Sequence, residues 1–367
     1  MSNTTAFLKA LPKCEHHLHI EGTFEPDLLF ALAKENNIHL DPAHYTTIAA
    51  LEERYKHFAG LDDFLQYYNW AMAALVKQSD YEKLAYAYMK KAHADGVKQA
   101  EVFFDPQAHV DRDIELSAVV SGLNQGLVRG EKEFGMTTKL IMCFVKHLPV
   151  ESALASVESI IPFVKSGEVI GLGMDSSEIG NPPEKFAGVY ERAVELGITH
   201  LTGHVGEEGP AASVRTAVAD MGLRRIDHGI HAADDPEVLK LLKEKNVFLT
   251  VCPLSNVRLR CIEKVADHPI PKFMEAGVKF SINSDDPAYF GGEFARTSLS
   301  QGCADYSFAG YVLANYLAVQ EAFNFSKSIW KGLMVDSIEG SWCDDARKSE
   351  LLSLLDGVMA EFEGKEI

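Results

Sequence analysis

The sequence predicts an α/β fold, a (β/α)₈ TIM barrel with additional helices near the mouth of the barrel. Eight short apolar or β-branched runs alternate with amphipathic stretches of helical spacing. Hairpin signals do not separate these runs, so parallel strands are favoured. A doubly wound open sheet is the structural rival, but no G-x-G-x-x-G follows the first run. The length of 367 residues fits one barrel with insertions, and we expect a single domain over residues 1–367.

The predicted strands follow one another with helical segments in most of the gaps between them. Each combines apolar and β-branched residues over a length that is typical of a buried parallel strand. The strands are predicted over residues 14–20, 98–104, 139–145, 169–174, 198–204, 225–229, 247–252 and 278–284.

The helical gaps carry recognisable start and stop signals. Residues 183–196 follow a proline pair, repeat apolar side chains at helical spacing and end before Gly197. Residues 80–94 begin with Asp80 as a predicted cap and stop near Gly96. The segment 24–95, between the first two strands, is unusually long and helical. We therefore expect this segment to cap or border the mouth of the barrel.

Composition limits the classes of partner. The formal net charge is −18, which argues against nucleic acid or an anionic membrane as a partner and favours a small-molecule substrate. The six cysteines form no C-x-x-C pair, which argues against a disulfide scaffold or a cysteine-based zinc site. The sequence contains no apolar run typical of a signal peptide or a membrane helix, so a cytoplasmic location is expected. The oligomeric state is left open.

Polar side chains at the predicted strand ends indicate a metal site. His17 and His19 are two residues apart at the end of the first strand and project to the same side of it. His204 ends the fifth strand, and Asp285 follows the eighth. Functional groups of a TIM barrel lie at these ends. Three imidazoles and one carboxylate suit a single divalent metal ion, with Zn²⁺ favoured and Fe²⁺ as the alternative.

Groups that a hydrolase needs lie beside these candidate ligands. Glu207 follows His204 by three residues, which places a general acid/base near the metal. His228, at the end of the sixth strand, is predicted to take or orient the proton of a metal-bound water. Asp286 is expected to point away from its neighbour Asp285 and to bind substrate. Lys146 is interpreted as a surface or structural cation rather than the bridging lysine of a binuclear site.

Five segments together resemble the adenosine/adenine deaminase family of metal-dependent hydrolases. They occur in the family's order and cover nearly the whole chain. The segments are PKCEHHLHIEG (12–22), HVGEEG (204–209), RIDHGIH (225–231), VCPLSN (251–256) and SINSDDP (281–287). The resemblance implies deamination of a 6-aminopurine to a 6-oxopurine with release of ammonia.

The resemblance also implies roles for individual residues. Glu207 would protonate the purine nitrogen N1, and His228 would assist the metal-bound hydroxide that attacks C6. Asp286 would form a hydrogen bond with N7. The metal ligands implied by the family are the four residues that the strand ends already indicate, His17, His19, His204 and Asp285.

One loop resembles the adenine-specific branch of this family. Residues 175–186, DSSEIGNPPEKF, carry Glu178 where adenosine-specific members have a glycine, and 283–292 are also similar to that branch. Glu178 would fill space near a ribose and accept a hydrogen bond from N9–H or N3–H of the free base. Glu21 is one methylene longer than the aspartate that nucleoside enzymes direct toward the ribose. We therefore expect adenine to be converted to hypoxanthine, in purine salvage.

Three alternatives remain open from the sequence. The first is a deaminase of adenosine or of an N6-substituted adenine. The second is a binuclear amide or ester hydrolase on the same barrel, and the third is a binding protein without catalysis.

One residue departs from the family pattern, since His16 replaces an apolar residue. Strand alternation predicts that this side chain faces away from the metal.

Overall fold

Parallel strands form a curled sheet that closes into a (β/α)₈ barrel, as predicted. The structure, a computed structural model, describes residues 2–291 and 310–367, so that Gly292 and Cys303 lie outside the described residues. All eight predicted strands are present, and every strand pair is parallel. The strands are β1 (Lys13–Glu15), β2 (Val97–Phe104), β3 (Thr137–Val145), β4 (Val169–Asp175), β5 (His200–Leu201), β6 (His204–Val205), β7 (Arg225–His228), β8 (Phe248–Val251) and β9 (Lys279–Ile282).

The fifth barrel strand is divided into β5 and β6. β5 pairs with β4 on one side, whereas β6 pairs with β7 on the other. Gly203 lies in the break, and a Cβ atom there would be 3.0 Å from the side chain of Met174 and from the hydroxyl of Tyr190. The backbone therefore packs closely at this point, and the strand resumes at His204.

The last barrel strand meets the first through backbone hydrogen bonds between residues that lie just beyond the ends of β1 and β9. The amide of His19 donates to the carbonyl of Asp285 over 3.1 Å, and the amide of Asp285 donates to the carbonyl of His17 over 3.0 Å. The side-chain oxygen of Asn283 accepts from the amide of His16 at 2.8 Å. These bonds close the barrel, and they place three candidate metal ligands on the closing seam.

Helices cover the outside of the barrel and its mouth. The predicted helix 80–94 begins slightly earlier, at Gln78, and Asp80 accepts from the amide of Lys77 at its N-terminus. The helices are α1 (Asn3–Ala10), α2 (Pro26–Glu35), α3 (Ile48–Tyr55), α4 (Leu61–Ala71), α5 (Gln78–Ala94), α6 (Pro106–Val110), α7 (Leu116–Phe134), α8 (Val150–Ser166), α9 (Ala187–Glu195), α10 (Ala211–Ala219), α11 (Pro236–Glu244), α12 (Pro253–Arg258), α13 (Ile270–Ala276), α14 (Val312–Phe323), α15 (Lys327–Gly340) and α16 (Asp345–Glu361).

The long segment between β1 and β2 contains α2 to α5, and α4 borders the barrel mouth as expected. At the opposite end of the barrel, the buried guanidinium of Arg225 pairs with Glu101 and lies 3.5 Å from the ring centroid of Trp342. This contact attaches the C-terminal segment to the strands. One hydrophobic cluster extends from Phe7 to Phe362, which supports the proposal of a single domain.

Two further predictions concern the environment of the chain. The five cysteines that the structure describes are free, in keeping with the expected lack of a disulfide scaffold. Among the helices of residues 2–291 and 310–367, none has the length and apolar character needed to cross a membrane. The cytoplasmic location stays a prediction.

Candidate active site

A cavity of about 200 Å³ opens at the carboxyl ends of the barrel strands. Its apolar wall includes Leu61, Phe64 and Tyr68 of α4, which cover the barrel mouth. Such a site, apolar with a few converging polar groups, is typical of a small-molecule pocket. The polar groups that line it include His19, Asp105, Asp175, His204, Glu207, His228, Asp285 and Asp286.

The four predicted metal ligands converge at one point. The Nε2 atom of His17 lies 3.1 Å from Oδ1 of Asp285, and the Nε2 atom of His19 lies 3.5 Å from the same oxygen. The Nε2 atoms of His19 and His204 are 3.1 Å apart. Within the described residues, the buried Nε2 of His17 has no hydrogen-bond partner. This donor set fits a divalent cation, which would satisfy the converging lone pairs.

Hydrogen bonds behind the cluster fix which ring nitrogen faces the metal position. The hydroxyl of Thr250 donates to Asp227 over 2.8 Å, so it accepts from Nδ1 of His17 at 3.0 Å. Nδ1 of His204 donates to the carbonyl of Met174 over 2.9 Å. Both rings therefore carry their hydrogen on Nδ1 and direct the Nε2 lone pair into the cluster, as metal-binding histidines require.

His228 competes with His19 for a place in this cluster. Candidate ligand atoms of His17, His204, His228 and Asp285 all lie within 4.8 Å of one another. The Nε2 atom of His228 lies 3.8 Å from Oδ2 of Asp285 and 3.4 Å from Oε2 of Glu207. Geometry alone thus allows His228 either to bind the metal or to act on a neighbouring water.

The backbone at two of these strand ends is unusual. His228 and Asp285 have φ angles of 62° and 65°, in the left-handed region that side chains rarely adopt. Such strained backbone conformations cluster at functional sites, where the surrounding contacts hold them in place. His228 is the last residue of β7 and Asp285 follows β9, and both side chains line the cavity.

Glu207 has the properties of a general acid. Its carboxyl group is 4% exposed and lies beside His228. Burial raises the pKa of Glu207 well above its usual range, and the nearby carboxylates of Asp285 and Glu178 raise it further. That shift favours the protonated form of the carboxyl group, which can donate a hydrogen ion to a bound ligand.

Asp286 also faces the cavity, as predicted. Burial raises the pKa of Asp286 well above its usual range, followed by the charge of Asp285. In the described part of the chain, its Oδ1 atom has no hydrogen-bond partner. A Cβ atom on Gly22 would lie 2.1 Å from this oxygen. The glycine of the IEG segment is thus required for the position of Asp286.

The carboxylate of Glu178 binds the backbone of the neighbouring loop. It accepts hydrogen bonds from three successive backbone amides, those of Gly206 at 2.9 Å, Glu207 at 2.7 Å and Glu208 at 3.1 Å. Burial raises the pKa of Glu178, but Lys146 and these amides outweigh burial, and the net shift is downward. The ionised group therefore holds the loop that carries Glu207, and its contact with the purine stays a prediction.

Glu21 likewise turns toward the protein. Its Oε1 atom accepts from Nε2 of His109 at 2.8 Å and from the amide of Asp105 at 3.2 Å. Burial raises the pKa of Glu21 to about 7. Glu21 thus supports the backbone at Asp105, and its contact with the substrate stays a prediction.

Sequence reasoning missed Asp105 and Asp175. Both follow the rule that found the other residues, since Asp105 comes directly after β2 and Asp175 is the last residue of β4. The Oδ2 atom of Asp175 lies 3.6 Å from Nδ1 of His19, so this carboxylate neighbours a candidate metal ligand. Asp105 lines the cavity without a sequence motif of its own.

Two basic side chains have defined positions. Lys146 is buried, and its Nζ atom donates to the carbonyl of His204 over 2.8 Å, so it is a structural rather than a surface cation. Burial lowers the pKa of Lys146 although the neighbouring carboxylates raise it. His16 faces away from the cluster, with its nitrogens 2.9 and 2.7 Å from the hydroxyls of Ser281 and Ser341. This orientation agrees with strand alternation.

Comparisons with known proteins are consistent with this geometry. Residues 12–307 match the family model described as Adenosine deaminase. The curated adenine deaminase of Aspergillus fumigatus is 50% identical over 356 residues, which are 95% of each chain. The crystal structure of adenine deaminase from Arthrobacter aurescens superposes with a TM-score of 0.86 at 39% identity, over 95% of this chain and 99% of that chain. An amidohydrolase structure from Burkholderia ambifaria with bound Zn gives a TM-score of 0.80 at 27% identity, over 98% and 96%.

Proposed function

Because the chain belongs to the adenosine deaminase family, we propose that it is an adenine deaminase that converts adenine and water to hypoxanthine and ammonia. It is a metal-dependent hydrolase that acts on a C–N bond. The observation that carries the proposal is the buried Glu207, whose pKa is raised, beside the converging histidines and Asp285. The full-length adenine deaminase relatives support the free base as substrate. A place in purine salvage follows from this reaction.

We assign one divalent metal ion to His17, His19, His204 and Asp285. The three imidazoles and the carboxylate suit zinc, and Fe²⁺ is the alternative for the same donors. The zinc in the Burkholderia ambifaria structure supports the first choice. When bound, such an ion lowers the pKa of a coordinated water so that a nucleophile forms at neutral pH.

The remaining residues supply proton transfer and orientation. Glu207 donates its hydrogen ion to N1 of adenine, which makes C6 more electrophilic. His228 accepts and directs the hydrogen ion of the attacking water, because its Nε2 faces Glu207 and Asp285. In its protonated form, which burial favours, the carboxyl of Asp286 donates a hydrogen bond to N7. The oxygen of the water bonds to C6, and His228 returns the hydrogen ion to the amino group. The C6–N bond then breaks, ammonia leaves, the oxygen stays on C6, and the second hydrogen of the water restores Glu207.

Glu178 and Glu21 contribute indirectly in this proposal. Glu178 fixes the backbone on which Glu207 is carried, and Glu21 fixes the backbone of Asp105. Both carboxylates therefore orient groups that face the substrate. In this proposal the two glutamates hold the backbone of the site and do not contact the base directly.

The proposal is tested with a panel of 6-aminopurines followed by ultraviolet absorbance, with metal content measured on the same sample. We expect kcat/KM to be higher for adenine than for adenosine and N6-methyladenine, with one metal ion per chain. The variant Glu207→Gln should keep the metal and lose turnover by about 100-fold or more, because it removes the group that donates to N1. A preference for adenosine of about 100-fold would contradict the substrate. Two tightly bound ions per chain would favour the binuclear alternative.

A further inference from the structure

Asp105 has an unusual position for an aspartate at the start of a helix. It occupies the N-cap position of α6, where an aspartate ordinarily accepts from a backbone amide, yet its side chain makes no such bond in the described structure. Its Oδ2 atom instead accepts from the hydroxyl of Tyr68 at 3.0 Å. The carboxylate is thus turned from the helix into the cavity, which it lines.

The second oxygen of this carboxylate lacks a donor. Asp105 is 5% exposed, and within residues 2–291 and 310–367 its Oδ1 atom has no hydrogen-bond partner. A carboxylate oxygen of Asp175 and a ring nitrogen of His19 lie within 4.8 Å of a carboxylate oxygen of Asp105. A buried acceptor beside a second carboxylate is costly unless a hydrogen-bond donor reaches it. The protonated form of Asp175 is one such donor, and an N–H group of a ligand is another.

The barrel topology indicates which part of the substrate lies near the Oδ1 atom of Asp105. Asp105 follows the second barrel strand, β2, whereas His228 ends the sixth barrel strand, β7. The second and sixth strands face each other across an eight-stranded barrel. The reacting atoms C6 and N1 of adenine lie beside His228 and Glu207 in the proposed function. The opposite corner of the purine, which carries N9–H, then lies toward Asp105.

We propose that Asp105 is a specificity-determining residue that accepts the N9–H hydrogen bond of a purine free base. Adenine supplies this donor, whereas a nucleoside carries its sugar on N9 and has no hydrogen there. A nucleoside would leave Oδ1 of Asp105 buried without a donor, which disfavours its binding. Glu21 supports the contact by holding the amide of Asp105, and Tyr68 fixes Oδ2.

The inference rests on the proposed function, and its test compares adenine with 9-methyladenine, which carries a methyl group in place of the N9 hydrogen. The wild-type protein should prefer adenine by about 100-fold or more in kcat/KM. Asp105→Ala should lower kcat/KM for adenine by about 10- to 100-fold, mainly through KM, and change 9-methyladenine by less than about 3-fold. The preference for adenine then collapses. Asp105→Asn should give a smaller loss in the same direction, and it keeps the test open if the alanine variant does not fold.

Asp113→Asn, at an exposed aspartate on the same connection, is the matched control and should leave both substrates unchanged. An equal loss on both substrates would overturn the inference, because a structural role affects them alike. It would also be overturned by two metal ions per chain in the wild type and one in Asp105→Ala, which would make Asp105 a cation ligand. Wild-type activity on adenosine without activity on adenine would instead refute the proposed function itself.

Discussion

At the scale of single residues, the site is defined by where lone pairs and hydrogens point. Thr250 and the carbonyl of Met174 fix the rings of His17 and His204 so that each Nε2 faces Asp285. His19 and His228 both approach this group, at 3.5 and 3.8 Å from the carboxylate oxygens of Asp285. The hydrogen bonds behind a histidine fix its tautomer and therefore decide which ring nitrogen faces the metal position.

The roles of the two histidines can be separated by metal analysis. We expect His19→Ala to lower metal affinity by roughly 100-fold or more, because it removes a ligand. His228→Ala should keep about one metal ion per chain and lose turnover, because it removes only proton transfer. Metal content after dialysis and kcat on adenine are the two measurements.

His57→Ala is the control for these variants, since the side chain of His57 is 70% exposed. It should alter neither quantity. If His228→Ala lost the metal and His19→Ala retained it, the ligand set would be His17, His204, His228 and Asp285 instead.

At the scale of elements, the connection after β4 supports the connection after β6. Three amides of the second connection donate to the single carboxylate of Glu178. A Cβ atom on Gly209 would lie 2.4 Å from Oε2 of Glu178, so the glycine permits this close approach. The position of Glu207 therefore depends on a residue from another strand end.

Replacing this carboxylate distinguishes support of the loop from contact with the base. Glu178→Gln leaves one oxygen to serve three amides, and its own NH₂ group faces donors. We expect kcat on adenine to fall by about 10- to 100-fold with KM changed less than about 3-fold, and unfolding free energy to fall by about 1–3 kcal/mol. Steady-state kinetics and urea unfolding measure these effects.

Glu184→Gln, at an exposed glutamate of the same connection, should leave both measurements at wild-type values. The opposite pattern, a large rise in KM with kcat preserved, would restore the direct contact with the purine that the sequence predicted for Glu178.

At the scale of the whole molecule, buried neutral histidines make the fold sensitive to acid. His268 is 2% exposed, its Nδ1 accepts from the amide of Ile270 at 3.2 Å, and burial lowers the pKa of His268 to about 3. Since the unfolded chain binds this hydrogen ion at a higher pH, the contribution of His268 is present above about pH 6.5 and is lost as the pH falls toward 3.

His268→Asn should reduce that sensitivity, because asparagine offers an acceptor to Ile270 but does not titrate. Between pH 7 and pH 5 we expect the wild type to lose about 1–2 kcal/mol more unfolding free energy than the variant, as measured by urea unfolding. The exposed His57→Asn should follow the wild-type pH dependence. Parallel curves for the wild type and His268→Asn would show that His268 is not the group that titrates.

The extent to which the sequence predicts this protein follows from what is local. Strand positions, the candidate ligands and Glu207 follow from periodicity and from the polar residues at strand ends, which neighbouring residues determine. The division of the fifth strand, by contrast, depends on packing of Gly203 against Met174 and Tyr190. Such contacts join distant parts of the chain and leave no local pattern.

The sequence by itself thus determined the barrel and most of the polar residues at its mouth, but not Asp105 or Asp175 as members of the site. Only the tertiary structure decided which of them face the cavity: Glu178 and Glu21 turn to backbone amides, while Asp105 turns inward. The physical reason is that a side chain after a strand takes its direction from backbone angles and from partners far along the chain. His228 and Asp285, with φ above 60°, show how strongly that direction departs from regular strand geometry.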